Sequence, residues 1–387
     1  MSTLRVFILA GEPSGDKLGG ALMAGLQSLR PDVVFEGIGG AQMQAQGLTS
    51  RFDMDELSVM GLAEVLPKYR HLKRRIAETA DAVVAMRPDV LITIDSPDFS
   101  LHVAKRVKAR SDIRTVHYVA PTVWAWRAGR AAKMARHIDH VLALFPFEPP
   151  LMQAAGMRCD FVGHPVVSEP VARQAEADAF RLRHGLGRKP LLMVLPGSRR
   201  GEVACLGERF GDAVKLLKAK NPDMQTVVPA AVPVAQAVAE LTISWPDTLI
   251  LDPRAGDYET AMAVKRSAFA AADVALAASG TVSLELAASR TPMVIAYDMS
   301  PLSRIIISRM MLVDTVTLVN LVSDTRTVPE FIGKACTPEA IAAGLEAVIA
   351  APQAQRDAMD TTMERLGRGG EDPGLRAARA VLEGLAP

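Results

Sequence analysis

Arg5-Val-Phe-Ile-Leu-Ala-Gly-Glu-Pro-Ser-Gly-Asp-Lys-Leu-Gly-Gly20 decides the fold. An unbroken apolar run, Val6–Ala10, passes through a glycine into a helical pattern that continues to Leu29. Continuous rather than alternating apolarity marks a strand covered on both faces, as in a parallel sheet flanked by helices. The same unit recurs outward along the chain. Further strand-like runs lie at Val33–Gly37, Val90–Asp95, Thr115–Val119, His140–Leu144 and Asp160–Gly163, with helical patterns such as Lys68–Met86 and Phe99–Ala109 between them. A second series follows at Leu191–Leu195, Gln225–Pro229, Thr248–Leu251, Val274–Ala278 and Met293–Tyr297, and beyond about residue 334 only helix signals remain. About a dozen strands are too many for one ordinary open sheet. The expected fold is therefore α/β, with two doubly wound parallel-sheet halves and a helical C-terminus. Val162-Gly-His-Pro-Val-Val-Ser-Glu-Pro170 reads as the hinge. The expected domains are 1–168, 169–350 and a helical segment 351–387 that either stays on the second half or returns to the first.

Composition narrows the function. The chain has 387 residues, 49% of them hydrophobic and 22% charged, which describes folded domains rather than disorder. Lysine and arginine total 44 against 43 acidic residues, so no global basic field points to nucleic acid and anion binding must be local. Three distant cysteines suit neither a disulfide framework nor a paired metal site, and a reducing cytoplasm is the simplest compartment. The N-terminal apolar run is shorter than the about 7–15 residues of a secretory signal, and nothing approaches the ~18 apolar residues of a membrane span. The expectation is a soluble or peripheral protein.

In such sheets ligands gather beyond the carboxyl ends of the strands, and the chemistry-bearing residues lie in those loops. The first loop carries Glu12 as a carboxylate, with Ser14 or Asp16 read as the helix cap; it lacks GxGxxG, which disfavours a dinucleotide enzyme. In Ile92-Thr-Ile-Asp-Ser-Pro-Asp-Phe99, Asp95 ends a strand where a general base belongs, and Asp98 reads as a cap of the next helix. His117-Tyr-Val-Ala-Pro-Thr-Val-Trp-Ala-Trp-Arg127 puts Trp126 and Arg127 in one loop, suited to sugar rings or simple packing. His117 itself reads as a buried structural histidine. In the second half, Pro196-Gly-Ser-Arg-Arg200 joins a strand to a helix through Gly197 and Ser198, with Arg199 placed for phosphate oxygens. Ser279, Gly280 and Thr281 offer a diphosphate cradle, and Glu285 a carboxylate for both hydroxyls of a ribose. Together they point to a nucleoside diphosphate.

Two patterns read otherwise. Asp53-Met-Asp55 resembles a DxD metal motif but follows no strand, and His137 with His140 lacks a third ligand, so no metal is expected. Met60-Gly-Leu-Ala-Glu-Val-Leu-Pro67 precedes Lys68, Arg70, Lys73, Arg74 and Arg75. With Leu62, Val65 and Leu66 this reads either as a surface for anionic membranes or as an ordinary amphipathic helix. Arg304–Leu312 offers a weaker case of the same kind.

In order along the chain, Gly11-Glu-Pro-Ser-Gly-Asp16, Val59-Met-Gly61, Ile94-Asp-Ser-Pro-Asp-Phe99, the His117–Arg127 loop, Phe145-Pro-Phe-Glu148, Phe161-Val-Gly-His164, Leu195-Pro-Gly-Ser-Arg199, Ala278-Ser-Gly-Thr281 with Glu285, and Asn320-Leu resemble the lipid-A-disaccharide synthase family. The resemblance spans essentially the whole chain. It implies a GT-B architecture, two Rossmann-like domains facing across a cleft. It further implies an inverting, metal-independent glycosyltransferase without cofactor. That enzyme moves 2,3-diacylglucosamine from UDP-2,3-diacylglucosamine to 2,3-diacylglucosamine 1-phosphate, forming a β(1→6) bond and releasing UDP. Glu12, Asp95, Arg199 and Asn320 match positions the family needs for activity. Asp95 is the expected base, with Glu12 as alternative or orienting partner. Pro13 and Val319 depart from the family pattern, threonine and proline being common there. The implied place is the cytoplasmic face of the inner membrane, on anionic lipid, with a homodimer allowed. Alternatives on the same fold are a UDP-N-acetylglucosamine 2-epimerase, another UDP-sugar enzyme, or a non-catalytic UDP-sugar-binding protein.

Overall fold

The computed structural model describes residues 3–57, 62–126, 129–299, 304 and 310–385, without the side chains of 62–68. The first unit runs β1 (Arg5–Ala10), α1 (Pro13–Leu29), β2 (Val34–Ile38), α2 (Ala41–Ala45), α3 (Leu62–Met86), β3 (Val90–Ile94), α4 (Pro97–Lys108), β4 (Arg114–Tyr118), α5 (Arg130–Met134), β5 (His140–Ala143), α6 (Pro149–Ala154) and β6 (Arg158–Phe161). The second continues with α7 (Gln174–Arg183), β7 (Leu191–Leu195), α8 (Arg200–Lys220), β8 (Gln225–Pro229), α9 (Ala235–Thr242), β9 (Thr248–Leu251), α10 (Tyr258–Ala271), β10 (Val274–Ala278), α11 (Val282–Ala288), β11 (Met293–Tyr297), α12 (Leu318–Ser323), β12 (Glu330–Ile332), α13 (Pro338–Ala350) and α14 (Gln353–Arg365). The final helix, α15 (Pro373–Leu385), belongs to the first unit. The compact units are Met1–Ser168 with Leu366–Pro387, and Glu169–Arg365. The C-terminal helices thus part company: α14 packs on α11 and α12, whereas α15 packs along α1. Arg376 Nη2 donates to Phe161 O at 3.0 Å and Ser168 Oγ to Asp372 Oδ2 at 2.9 Å, anchoring α15 within the first unit.

Each unit holds a six-stranded, all-parallel sheet, in the orders β2-β1-β3-β4-β5-β6 and β12-β11-β10-β7-β8-β9. The central strands β1, β3, β7 and β10 are buried almost throughout, as continuous apolarity requires. In the first sheet the order reverses between β1 and β3, which pair with Ala10 opposite Ile94. In the second it reverses between β7 and β10, with Leu195 opposite Ala277. Beyond such reversal points the flanking loops diverge to opposite faces and leave a ligand crevice.

Some sequence expectations shift. β12 is three residues, half-buried, with no apolar run to announce it. α3 begins at Leu62, six residues before the expected start at Lys68. Val59-Met-Gly61 lies outside the described residues. Asp53 caps a single turn at Met54–Glu56, its carboxylate accepting from Asp55 N, and among the described residues no cluster of three ligand-type side chains assembles. No described helix is long and apolar enough to cross a membrane.

Candidate active site

Asp95 and Glu12 leave the adjacent strand ends of the first sheet's reversal point. Asp95 follows β3 directly, half-buried, with φ of 46°, and Ser96 follows at 43°. Two consecutive non-glycine residues in the left-handed region cost roughly 1–3 kcal/mol each and persist only when the surroundings enforce them. Here Asp95 N donates to Tyr118 O at 3.0 Å across to β4, and Asp95 Oδ1 accepts from Ser96 N at 2.9 Å. Gly11 closes the other side: a Cβ there would stand 2.6 Å from Ser96 Oγ. The loops after β1 and β3 are thus in contact.

Glu12 is half-buried and is the N-cap of α1, because Pro13, having no N–H to satisfy, takes the first helical position. This corrects the reading of Ser14 or Asp16 as the cap. Ser14 is exposed within the first turn, and Asp16 is buried and works elsewhere. Its carboxylate accepts from Gly40, Gln42 and Met43 N at 2.8, 2.9 and 3.1 Å, capping α2. Asp98 is likewise not the cap of α4: Ser96 is, and Asp98 is exposed in the first turn. His117 is buried behind Asp95, its Nδ1 2.7 Å from Thr93 Oγ1. Burial pushes it down to about 4, the Asp95 charge only partly opposing, so it is a neutral structural imidazole near pH 7.

Beside this lies the loop after β4. Val119, β-branched, sits at φ 84°, a further strained residue at a strand end. Trp126 is half-buried with its Nε1 donating to Thr122 Oγ1 at 3.2 Å; Arg127 lies outside the described residues.

In the second unit the candidates flank the β7/β10 reversal point. Gly197, at φ 124°, turns the chain so tightly that a Cβ would stand 2.6 Å from the Glu202 side chain. The amides of Ser198 and Arg199 donate to Glu202 Oε2 at 3.0 and 3.3 Å. Glu202 Oε1 also pairs with Arg199 Nη1 at 3.3 Å, while the Arg199 side chain stays 65% exposed. Glu202 therefore caps α8 and aims the guanidinium outward; sequence reasoning missed it, and its only signal is an acid three residues past the N-cap. Ser279 is half-buried, and Gly280 and Thr281 are exposed at the end of β10. Glu285 Oε2 pairs with Lys265 Nζ at 2.6 Å from α10. Tyr297 ends β11 within electrostatic reach of Glu202 and Arg199; burial is the main cause of its raised pKa. Asn320 is buried at 1% exposure and spends its amide on its own segment, Nδ2 to Val328 O at 2.9 Å and Oδ1 from Val328 N at 3.0 Å. That bonding makes it a clamp for the 315–328 loop.

On α3, Arg70, Lys73 and Arg74 are exposed, with Lys73 Nζ 4.6 Å from the centre of the Tyr69 ring. Arg75 is committed inward, its Nε and Nη2 on Glu56 at 2.8 Å each and its guanidinium over Phe52. The side chains of Leu62, Val65, Leu66 and Lys68 lie outside the described residues, as does most of Arg304–Leu312; Arg304 itself pairs with buried Asp298 at 2.7 Å.

The family described as lipid-A-disaccharide synthetase matches residues 6–378. A lipid-A-disaccharide synthase from Ruegeria pomeroyi is 66% identical over 383 residues, covering 99% of this chain and 96% of its own. The chain belongs to the lipid-A-disaccharide synthase family. It is thereby a glycosyltransferase by kinship. A Rhodospirillum centenum lipid-A-disaccharide synthase is 46% identical over 99% of this chain and 95% of its own. Among solved structures, the S. aureus MnaA–UDP complex superposes with a TM-score of 0.64 at 12% identity, over 98% of this chain and 95% of the other. The Neisseria meningitidis UDP-GlcNAc 2-epimerase bound to UDP-GlcNAc gives 0.61 at 13%, over 99% and 98%. At that identity they share the GT-B-type fold of the synthase family and nothing narrower.

Proposed function

We infer that this chain transfers 2,3-diacylglucosamine from UDP-2,3-diacylglucosamine to the 6-hydroxyl of 2,3-diacylglucosamine 1-phosphate, yielding the β(1→6) disaccharide 1-phosphate and UDP. Beside family membership, one observation carries the reading of the site: in both sheets the candidate groups fall at the topological reversal point. Asp95, held by a strained backbone, is the base that takes the proton from the attacking alcohol, and Glu12 orients that alcohol from the neighbouring strand end. General-base catalysis of this kind contributes about 10²–10⁴-fold. As the C1–O bond to the diphosphate breaks with inversion, negative charge grows on UDP. Arg199 meets it with a planar fork whose direction Glu202 sets, and the Ser279–Thr281 loop adds polar donors. Glu285 accepts from the ribose hydroxyls. Asn320 acts through the loop it clamps. In this scheme charge neutralisation is carried by arginine rather than by a resident metal, so activity should survive EDTA.

Both substrates are acylated, which fits docking of the Tyr69–Arg74 face on anionic lipid at the cytoplasmic side of the inner membrane. The test is direct: purified protein is given diacylated donor and acceptor, and UDP and disaccharide 1-phosphate are followed. Equal turnover of non-acylated UDP-N-acetylglucosamine without acceptor would instead favour an epimerase.

A further inference from the structure

We propose that Glu148 is a positioning residue for this transfer, its buried carboxylate fixing the tryptophan loop beside the strand end that carries Asp95. The inference rests on the acceptor reading of the first unit given above. Glu148 lies in the loop after β5 at 2% exposure. Its Oε2 accepts from Leu144 N at 3.1 Å and Phe145 N at 3.0 Å, within its own loop. Its Oε1 accepts from Trp124 Nε1 at 3.2 Å, in the loop after β4. One carboxylate thus ties two loops together, and all three of its partners are N–H donors.

The indole is held on its other sides by apolar rings: Phe147 stands edge-on at 5.3 Å between centroids, Phe145 at 6.4 Å, and the two phenylalanines stack at 5.4 Å. Packing alone would fill this space at less cost than a buried acid that has no charged partner among the described residues and pays to leave water. What the acid adds is direction: by accepting the Trp124 Nε1–H, Oε1 sets which way the indole lies. Two residues on is Trp126, in a turn closed by Trp126 N to Thr122 O at 3.3 Å. The loop's first strand, β4, pairs with β3 with Tyr118 opposite Ile94, and Asp95 N bonds Tyr118 O. The tether therefore ends on the backbone that holds Asp95.

Glu148→Gln tests this when assayed at about pH 8, above the value near 7 to which burial raises the acid, because an amide must present its NH2 either to the indole N–H or to the two backbone N–H groups, breaking one side of the tether. We expect the acceptor KM to rise on the order of tenfold, with donor KM and UDP affinity within about twofold. Trp124→Phe keeps the aromatic packing and removes the same bond, so it should reproduce the effect, and the double variant should be no worse than either single one. Donor and acceptor KM rising together, or additive losses, would overturn the proposal. Should Glu148→Gln not fold, Trp124→Phe alone carries the kinetic test. Iodide quenching of tryptophan emission reads the tether independently of turnover: it should increase in Glu148→Gln, and unchanged quenching overturns the tether. A wild-type protein without transferase activity would instead overturn the functional reading and leave the quenching result standing.

Discussion

Gly11→Ala probes the contact on which the placement of Asp95 depends. The added methyl would sit 2.6 Å from Ser96 Oγ and 3.0 Å from Ser96 Cβ, where ordinary contact begins at 3.4 Å. The hydroxyl can rotate away, but the Cβ cannot, so the loop after β3 must retreat by several tenths of an ångström, up to about 0.8 Å if the hydroxyl stays. Overpacking of this size costs about 1–3 kcal/mol of stability. Because the retreating residue adjoins Asp95, and a displacement of about 1 Å at a reacting group costs about 10²-fold, kcat should fall roughly 10- to 100-fold. UDP release from diacylated substrates gives the rate, and urea unfolding gives the stability. The decisive control is Gly11→Ala with Ser96→Gly. That second change removes both clashing atoms, and glycine accepts the 43° φ without strain. The double variant should recover most of the lost rate. Undiminished kcat in Gly11→Ala, or no recovery in the double variant, would show that the Gly11–Ser96 contact does not set the position of Asp95.

Other outcomes follow from the same geometry. Arg199→Ala should weaken UDP binding about 10- to 100-fold as well as slow turnover, the loss of one charge-assisted contact; an unchanged UDP Kd would remove Arg199 from the nucleotide. Burial holds His117, His140 and His164 each at about 4, below the ~6.5 of the unfolded chain. The unfolded state then binds the extra protons, so the stability contributed is complete above about pH 6.5 and is lost as pH falls towards 4, by up to roughly 3 kcal/mol per histidine. Glu148, pushed up to about 7 by burial, works the other way, since its folded form takes up a proton first. Three groups outweigh one, and the urea midpoint should drop between about pH 7 and about pH 4.5; a flat profile would contradict these burials. Sedimentation with anionic vesicles should fall as salt rises and fall further in Arg70→Glu/Lys73→Glu; salt-insensitive binding would argue against an electrostatic surface.

The parallel sheets were legible because burial on both faces forces unbroken apolar runs, and Arg5–Ala10 and Leu191–Leu195 could be read directly as strands. The loops that carry Asp95, Arg199 and Ser279 were legible for a related reason: strand, short turn and helix follow one another locally, the turn marked by Pro97 in the first and by Gly197 and Gly280 in the others. What escaped was decided across space. Asp16 looks like a cap for its own helix, yet Pro13 moves that start back to Glu12, and Asp16 caps a helix some 25 residues on. Glu202 takes the first amides of its helix and pairs with Arg199, and Lys265 reaches Glu285 from another helix. Glu148 closes one of the family motifs, but its role was not legible, because its value lies in bonding two loops that only the sheet order makes neighbours. Asn320, matched to an active position by motif, turns out to bond the backbone of its own loop.

In the proposed transfer, the carboxylate at the end of β3 removes the proton of the attacking alcohol. Single-turnover transfer by Asp95→Ala, with diacylated donor and acceptor and UDP affinity measured in parallel, tests it most directly. The rate should fall by about 10²–10⁴-fold with folding and UDP binding near wild type. A variant that binds UDP normally and keeps more than about a tenth of the wild-type rate would contradict it.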